Sequence, residues 1–323
     1  MTAPRPSQTV VQLPADDCVV VFRTELSGVY GRLVRLGAVS QKILKPHALP
    51  PVAATLLGEA TALAALLGSA LGDTGNIAVQ TKTDGIVSVI YADCEAPGQL
   101  RGYARMDTGT FGQLTAAGEV VDAVRALGQG HLAITIDAGG DAERYQGVIA
   151  LDGGALADGA ARYFEQREAL PTFIRLAVAQ HYASARNGTP ADVQWRGGGI
   201  MMQFPRPASG RDDDTPGDED DPWERVRLLT ATIEDHELLD PNLTAERLLL
   251  RLFHEEGVVI ERVVPLTAYC KCSREKIANV LATFGDDDIK DMVDDAGKIA
   301  VTCEFCATTY AFDAADIGAA GAP

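Results

Sequence analysis

The sequence predicts an α+β protein: a mixed sheet-and-helix core domain on the N-terminal side, a helical linker, and a small C-terminal zinc-binding domain. Three observations predict this class. Strand-like and helix-like segments follow one another in the first two thirds of the chain without the steady strand–helix–strand rhythm of a parallel sheet. An acidic, proline-containing stretch then breaks the pattern. Four clustered cysteines follow in a segment too short to build a large core of its own.

These observations divide the chain into three predicted parts. Residues 1–205 form the core domain, residues 206–265 form an acidic insert and helical linker, and residues 266–323 form the four-cysteine domain. A length of 323 residues fits two domains and a small third unit. Since 46% of the residues are hydrophobic, the chain has enough apolar material for a sizeable core.

The charge of the chain limits its partners. A net charge of −17 repels phosphate groups, so we expect neither nucleic acid nor a membrane as a partner. The first 13 residues lack the apolar core of a signal peptide, and we expect a cytoplasmic protein. In that reducing compartment, clustered cysteines indicate metal ligands or redox groups and not a disulfide framework.

Hydrophobic periodicity predicts the elements of the core in order. Residues 18–22 (CVVVF) form a buried strand, and residues 50–71 carry apolar side chains at helical spacing. Alternating residues from 77 to 91, on either side of an Asp-Gly turn, predict a hairpin. Two further strands are predicted at 131–137 and 144–151.

The second part of the core and the linker complete this pattern. We predict helices at 155–168 and 172–184, and a strand region at 193–204 interrupted by three glycines. Two acidic runs between 206 and 221 predict a disordered, solvated linker. Asp221, Pro222 and Glu224 then mark a capped helix start, and short helices are predicted at 224–236 and 244–256.

Four cysteines carry the chemistry of the C-terminal part. Cys270 and Cys272 form one close pair, and Cys303 and Cys306 form a second pair further along the chain. Zn²⁺ prefers four soft ligands in a tetrahedron, which two such pairs on separate loops supply. We therefore predict one Zn²⁺ per chain, held by these four side chains.

The flanking segments support a zinc site. Residues 299–302 and 309–312 are predicted strands that would place the second cysteine pair in a hairpin turn. Ser273 is the predicted cap of a helix with one apolar face, and residues 286–293 predict a second short helix. In so small a unit, metal binding supplies folding free energy.

Spacing alone leaves the purpose of the site open. Most four-cysteine zinc sites are structural. A redox role is favoured by the position of Cys272 before a helix and by the nearby Lys271, Arg274 and Lys276, although these bases would equally neutralise four thiolates on a dication. A thiol–disulfide oxidoreductase is disfavoured, because its Cys-x-x-Cys pair would open a helix and here it lies between strands.

A family resemblance favours the redox role. Residues 269–275 (YCKCSRE), 301–306 (VTCEFC) and 310–313 (YAFD) closely resemble the C-terminal redox domain of the Hsp33 family of heat-shock chaperones. Motifs far from the cysteines resemble the family's core: residues 31–36 (GRLVRL), 56–59 (LLGE), 100–104 (LRGYA), 144–148 (RYQGV) and 163–166 (YFEQ). The resemblance spans about residues 18–317; the acidic insert at 206–221 stands outside it, and its role is left unassigned.

The resemblance implies a redox-regulated holdase and not an enzyme. In the reduced state the protein would bind Zn²⁺ and be inactive. Oxidation would pair Cys270 with Cys272 and Cys303 with Cys306, release the metal, unfold the linker and promote homodimerisation. The active form would bind unfolding or oxidatively damaged proteins during stress. The alternative is a constitutive zinc-stabilised binding protein without a redox switch.

The other cysteines, the histidines and the linker leucines carry weaker functional signals. Cys18, in an apolar strand, is predicted to be a core residue, and Cys94 receives no role. The five histidines lack ligand spacing with the cysteines. Leucines of the linker are candidates for client contact, but packed helix faces explain them equally well: Leu228, Leu229, Leu238, Leu239, Leu248, Leu249 and Leu250.

Overall fold

The computed structural model describes residues 13–140, 143–182, 193–205 and 221–313. It shows an α+β fold, as predicted. The segments of the first half, in chain order, are β1 (Cys18–Thr24), β2 (Tyr30–Leu36), α1 (Ala38–Leu44), α2 (Pro51–Gly68), β3 (Asn76–Thr83), β4 (Val87–Glu95), β5 (Gln99–Met106), α3 (Thr108–Ala116), α4 (Ala123–Leu127), β6 (Gln129–Asp137) and β7 (Tyr145–Asp152).

The second half contains the remaining core elements, the linker and the cysteine-bearing unit. Its segments are α5 (Leu156–Arg167), β8 (Thr172–Tyr182), β9 (Val193–Gln203), α6 (Pro222–Ala231), α7 (Asp235–Leu239), α8 (Ala245–Phe253), β10 (Val258–Pro265), β11 (Thr267–Ala268), α9 (Arg274–Leu281), α10 (Asp286–Asp291), β12 (Lys298–Thr302) and β13 (Thr309–Asp313).

Two sheets and one central helix build the core. The five-stranded sheet has the order β10-β1-β2-β9-β8, and the six-stranded sheet has the order β11-β5-β4-β3-β6-β7. Neighbouring strands are antiparallel except β11, which runs parallel to β5. Helix α2 packs against strands of both sheets. It is long and apolar enough to span a membrane, but it is largely buried inside the protein, as the central helix of a core is.

The apolar side chains form separate clusters on the two faces of the five-stranded sheet. Alternate residues of β1 point to opposite faces, so Val19 joins the cluster around α2, whereas Val20 and Phe22 join a second cluster beneath α6, α7 and α8. This two-sided burial explains the unbroken apolar run at the start of β1. A third, small cluster lies within the cysteine-bearing unit.

Most predicted elements are confirmed. The first strand, the long helix, the hairpin of β3 and β4, the pair β6 and β7, and helix α5 all form. Asp221 caps α6 by accepting a hydrogen bond from the backbone N–H of Trp223 at 2.9 Å. The predicted disorder of residues 206–220 lies outside the described residues. The domain boundaries proposed above stay a prediction.

The predicted helix at 172–184 is wrong. Residues Thr172–Tyr182 form strand β8, which pairs with β9 along its whole length. Apolar Ile174, Leu176 and Val178 alternate along the strand and pack against the core around α2. Alternation with β-branched and aromatic residues is the pattern of a strand, and it outweighs the helical spacing of Phe173, Leu176 and Ala177.

The three glycines do not interrupt β9, and they have a packing role. A Cβ atom on Gly198 would lie 2.7 Å from the backbone oxygen of Leu238 in α7, and one on Gly199 would lie 2.8 Å from the side chain of Leu176. Glycine at 198 thus lets the linker approach the sheet backbone closely. The linker also contains strand β10, where the sequence indicated only helices.

Glu59, in α2, is a partly buried carboxyl group within the core. Burial raises its pKa to about 7, and the nearby charge of Asp235 adds to the rise. Well below pH 4.5 the group is protonated in both the folded and the unfolded chain, and its ionisation does not affect stability. As the pH rises from there to about 7, the unfolded chain ionises more readily than the folded one, so folding loses stability.

We expect Glu59→Gln to stabilise the fold at pH 8 by up to roughly 3 kcal/mol, and to have no effect near pH 4. Urea unfolding of both proteins at the two pH values measures the difference. The exposed Glu165→Gln is the matched control and should change neither value. An equal effect of Glu59→Gln at both pH values would contradict the burial of this charge.

Candidate metal centre

The four predicted ligands come together in space. The sulfur atoms of Cys270, Cys272, Cys303 and Cys306 all lie within 4.8 Å of one another. The distance from Cys270 Sγ to Cys303 Sγ is 3.7 Å, and that from Cys272 Sγ to Cys306 Sγ is 3.4 Å. Residues about 30 positions apart in the chain thus share one site.

Local structure fixes each pair of cysteines. Cys270 and Cys272 lie between β11 and α9, where Ser273 caps the helix by accepting a hydrogen bond from the N–H of Lys276. Cys303 and Cys306 lie in the turn between β12 and β13, which is closed by the pairing of Thr302 with Thr309. This agrees with the predicted hairpin, and Cys303 does not open a helix as an oxidoreductase cysteine would.

The arrangement fits a tetrahedral metal ion. Zinc–sulfur bonds of about 2.3 Å place the corners of a tetrahedron about 3.8 Å apart. The two measured separations, 3.7 and 3.4 Å, are close to that edge. Four soft sulfur donors favour Zn²⁺ over the harder cations that prefer oxygen.

The pKa values of the thiols also favour a cation at this site. Burial and the neighbouring thiols raise the pKa of Cys270, and burial raises that of Cys303. Burial would raise the pKa of Cys306 too, but the hydrogen bonds with Thr308 and the other sulfurs lower it to about 7. One thiolate therefore forms readily at Cys306, and a positive charge at the centre would favour ionisation of Cys270 and Cys303.

Two hydroxyl groups contact sulfur atoms of the site. Thr308 Oγ1 lies 3.3 Å from Cys306 Sγ, and the Tyr310 hydroxyl lies 3.3 Å from Cys272 Sγ. The contact with Cys272 raises the pKa of Tyr310 to about 12, so the phenol stays protonated and is available to donate to a thiolate. Donors of this kind orient ligands and disperse their negative charge.

The bases that flank the cysteines have structural contacts. Lys271 pairs with Glu95 of the core at 2.6 Å, and Lys276 donates to the Lys271 carbonyl. Arg274 donates to the carbonyl of Ala311 at 2.6 Å and lies over the ring of Phe312, with 4.4 Å to its centroid. These residues join the two cysteine-bearing segments and connect them to the core.

The apolar core of this unit is small. Its buried hydrophobic side chains, within the described residues, are Leu281, Ile299 and Phe312. Three such side chains are too few to stabilise an independent unit, so a metal ion that joins its two halves would supply much of its folding free energy.

Two buried arginines hold the linker on the five-stranded sheet, and sequence reasoning did not identify them. Arg35 of β2 donates to the backbone carbonyls of Asp240 and Leu243, and Arg196 of β9 donates to that of Leu239 at 2.6 Å. Arg196 also pairs with Asp16 at 2.5 Å. An arginine inside an apolar strand run is a signal in the sequence, because a buried charge requires partners.

The structure also places the other residues considered. Cys18 and Cys94 are buried, and burial raises their pKa values to about 11 and about 12, so both are inert core thiols. Of the linker leucines, Leu238, Leu248 and Leu249 are buried, Leu229 and Leu239 are partly buried, and Leu228 and Leu250 are exposed.

Known proteins match this chain over nearly its whole length. The family described as Hsp33 protein matches residues 17–313. This chain belongs to the Hsp33 family. The 33 kDa chaperonin of Caulobacter vibrioides is 41% identical over 298 residues, covering 92% of this chain and 95% of that protein. That of Shewanella woodyi is 36% identical, covering 91% and 92%.

A solved structure has the same fold. The crystal structure of the 33 kDa chaperonin (heat shock protein 33 homolog) of Thermotoga maritima matches with a TM-score of 0.71 at 22% identity, covering 94% of this chain and 97% of that one. The resemblance inferred from the sequence motifs is therefore confirmed. Hsp33 relatives are named as chaperones and not as enzymes, and a chaperone binds client proteins.

We expect purified reduced protein to hold one tightly bound Zn²⁺ per chain, and Cys303→Ser to lose tight binding because a tetrahedral site lacks one thiolate. Metal analysis after dialysis against a chelator measures both. Cys94→Ala, which removes a buried thiol outside the site, is the control and should keep its metal. Stoichiometric Zn²⁺ of unchanged affinity in Cys303→Ser would contradict ligation by four cysteines.

Proposed function

We propose that this Hsp33-family chain is a redox-regulated holdase of the cytoplasm that acts under oxidative stress. In the reduced state Zn²⁺ holds the thiolates of Cys270, Cys272, Cys303 and Cys306 together, and the chaperone is inactive. The observation that carries this proposal is the cluster of four sulfurs, within 4.8 Å of one another, in a unit with only a small apolar core.

Oxidation would remove the metal ligands. Formation of each disulfide removes two electrons from a pair of thiolates, and one hydrogen peroxide molecule accepts them with two protons and is reduced to two water molecules. We propose the pairs Cys270–Cys272 and Cys303–Cys306. Pairing across the two segments would cross-link them and stabilise the unit, whereas pairing within each segment leaves them free to separate. Pairing within each segment, which the family resemblance implies, is the arrangement that fits a unit that unfolds on oxidation.

A comparison of the free energy of zinc binding with the stability of a typical domain supports unfolding on oxidation. A structural zinc site of this kind contributes about 10–16 kcal/mol of apparent binding free energy. The total stability of a typical domain is roughly 5–15 kcal/mol. With so few buried apolar side chains, the cysteine-bearing unit would not remain folded once its ligands are lost.

Unfolding of the cysteine-bearing unit would weaken the docking of the linker on the five-stranded sheet. Strand β10 is an edge strand of the five-stranded sheet, and the chain passes from it through Leu266 and β11 to the first cysteine. Its release would leave β1 as an apolar sheet edge, and release of α6 to α8 would uncover the second apolar cluster. Exposed apolar surface captures unfolding clients, and an open edge pairs with another chain, which supports homodimerisation on activation.

We expect treatment with peroxide at mildly elevated temperature to release one Zn²⁺ per chain and to switch on suppression of aggregation of a heat-unfolded enzyme. A zinc-sensitive dye and light scattering, applied to one sample, measure both, and peptide mapping of that sample should find the two proposed disulfides. The untreated protein at the same temperature is the control.

The main alternative is a constitutive zinc-stabilised binding protein. In that case aggregation would be suppressed equally before and after peroxide, and the metal would stay bound. Loss of Zn²⁺ without any gain in suppression would contradict the redox-regulated chaperone. Disulfides between the two segments would contradict the proposed pairing.

Close packing of the linker on β9 gives a further test. Gly198→Ala would place a Cβ atom against the backbone of Leu238 and loosen the linker by about 1–3 kcal/mol, which corresponds to roughly 5- to 150-fold more undocked linker. We expect measurable suppression of aggregation by the reduced, zinc-bound variant, assayed by light scattering.

The matched control is Gly72→Ala. A Cβ atom on Gly72 has no neighbour within 4 Å, so that variant should stay inactive until it is oxidised. Equal activity of the two reduced variants would mean that docking of the linker on β9 does not restrain the chaperone.

A further inference from the structure

We propose that the outer face of β4 and β5 carries a recognition site for client segments with an acidic residue followed by an aromatic one, and that Glu304-Phe305 of this chain occupies it in the reduced protein. The site, here called the aromatic socket, consists of Tyr91, Arg101, Tyr103 and Arg105. This inference rests on the proposed chaperone function and names the chemistry of its client.

Strand register builds the socket. In the β4–β5 pair, Tyr91 lies opposite Tyr103, and Asp93 lies opposite Arg101. Beyond the bulge of β4, the alternate residues Ile90, Ala92 and Cys94 point into the core around α2, so Tyr91 points away from it. The tyrosine rings stack at 5.8 Å with an interplanar angle of 20°.

Phe305 fills the socket. Its ring meets the ring of Tyr103 edge-on at 5.0 Å and that of Tyr91 edge-on at 5.7 Å. The guanidinium of Arg101 lies 4.3 Å from the centroid of the Phe305 ring. Edge-to-face rings and a cation over a ring face are attractive geometries that require an aromatic occupant.

The residue before the phenylalanine is recognised separately. Arg105 donates from Nε and from the terminal nitrogen to one carboxylate oxygen of Glu304, at 3.0 and 2.9 Å. The backbone carbonyl of Glu304 lies 2.8 Å from Nε2 of His47. The ring, the carboxylate and the backbone carbonyl of this turn thus each have a separate contact on the core.

The socket is held in place without its occupant. Arg101 forms a bidentate pair with Asp93, at 3.0 Å from Nε and 2.8 Å from the terminal nitrogen, and Asp93 is buried. The Tyr91 hydroxyl donates to the same carboxylate at 3.2 Å. All of these groups belong to the core strands, so they would persist if the cysteine-bearing unit unfolded.

The position of the occupant links the socket to the metal centre. Glu304 and Phe305 are the two residues between Cys303 and Cys306. Unfolding of this turn would move the side chains of Glu304 and Phe305 away from the socket and leave it exposed. Arg105, whose carboxylate partner in the reduced protein is Glu304, then has a positive charge available to attract an acidic client segment.

A labelled peptide tests the socket in the full chain. The probe is the sequence of residues 302–308 with serine for both cysteines, and fluorescence anisotropy measures its binding. We expect the oxidised protein and the reduced Phe305→Ala variant to bind it at least tenfold more tightly than the reduced wild type. A peptide with alanine for the phenylalanine should not bind.

Charge reversal separates recognition from folding. The oxidised Arg105→Glu variant should no longer bind the probe, and it should bind a peptide with lysine in place of the glutamate. A misfolded variant would bind neither peptide. Tyr103→Ala should bind the probe at least tenfold more weakly after oxidation. Tyr182→Ala, which removes an exposed tyrosine from β8, is the matched control and should bind as wild type does.

The outcomes distinguish the two proposals. If neither oxidised wild type nor reduced Phe305→Ala prefers the probe to its alanine version, the socket is not a recognition site, whether or not oxidation activates the chaperone. If the probe binds as expected but oxidised wild type suppresses no aggregation, the socket stands and the redox-regulated holdase does not.

Discussion

Four sulfur atoms within 4.8 Å of one another are the constraint on which the rest of this structure depends. Their negative charges do not coexist without a cation, since burial and mutual proximity already oppose ionisation of Cys270 and Cys303. The segments that carry them share few buried apolar side chains. Cohesion of the unit therefore depends on the chemical state of the sulfurs more than on hydrophobic packing, and oxidation is a chemical change to those same atoms.

The linker couples that small unit to the core through contacts of a different kind. Its backbone lies against Gly198, and its carbonyl groups accept hydrogen bonds from Arg35 and Arg196. Hydrogen bonds from a buried charge are strong when complete and costly when broken, because the charge is then left without partners. Such an attachment favours all-or-none docking, which suits the release of the linker proposed above.

The sequence predicted the elements with strong local signals and missed those that depend on distant partners. The clustering of the four cysteines was predicted because cysteine pairs at this spacing are rare without a metal, and α2 was predicted because its periodicity is long. Residues 172–184 were predicted as a helix because Phe173, Leu176 and Ala177 have helical spacing within a segment that also alternates as a strand does, and only pairing with β9 decides between the two. The contacts of Phe305 and Arg196 join residues more than 40 positions apart, which no local pattern reveals.

The division of stability within the chain explains how one part could unfold and leave the other intact. The core around α2 combines apolar side chains from two sheets and a central helix, and this cluster contains none of the four metal-site cysteines. The cysteine-bearing unit touches the core mainly through polar pairs and one aromatic side chain, such as Lys271 with Glu95 and Phe305 with Tyr103. Polar pairs at a surface contribute little free energy. Undocking this unit would therefore remove little of the stability of the core. Strands β4 and β5, which carry the aromatic socket, would remain folded after Glu304 and Phe305 have moved away.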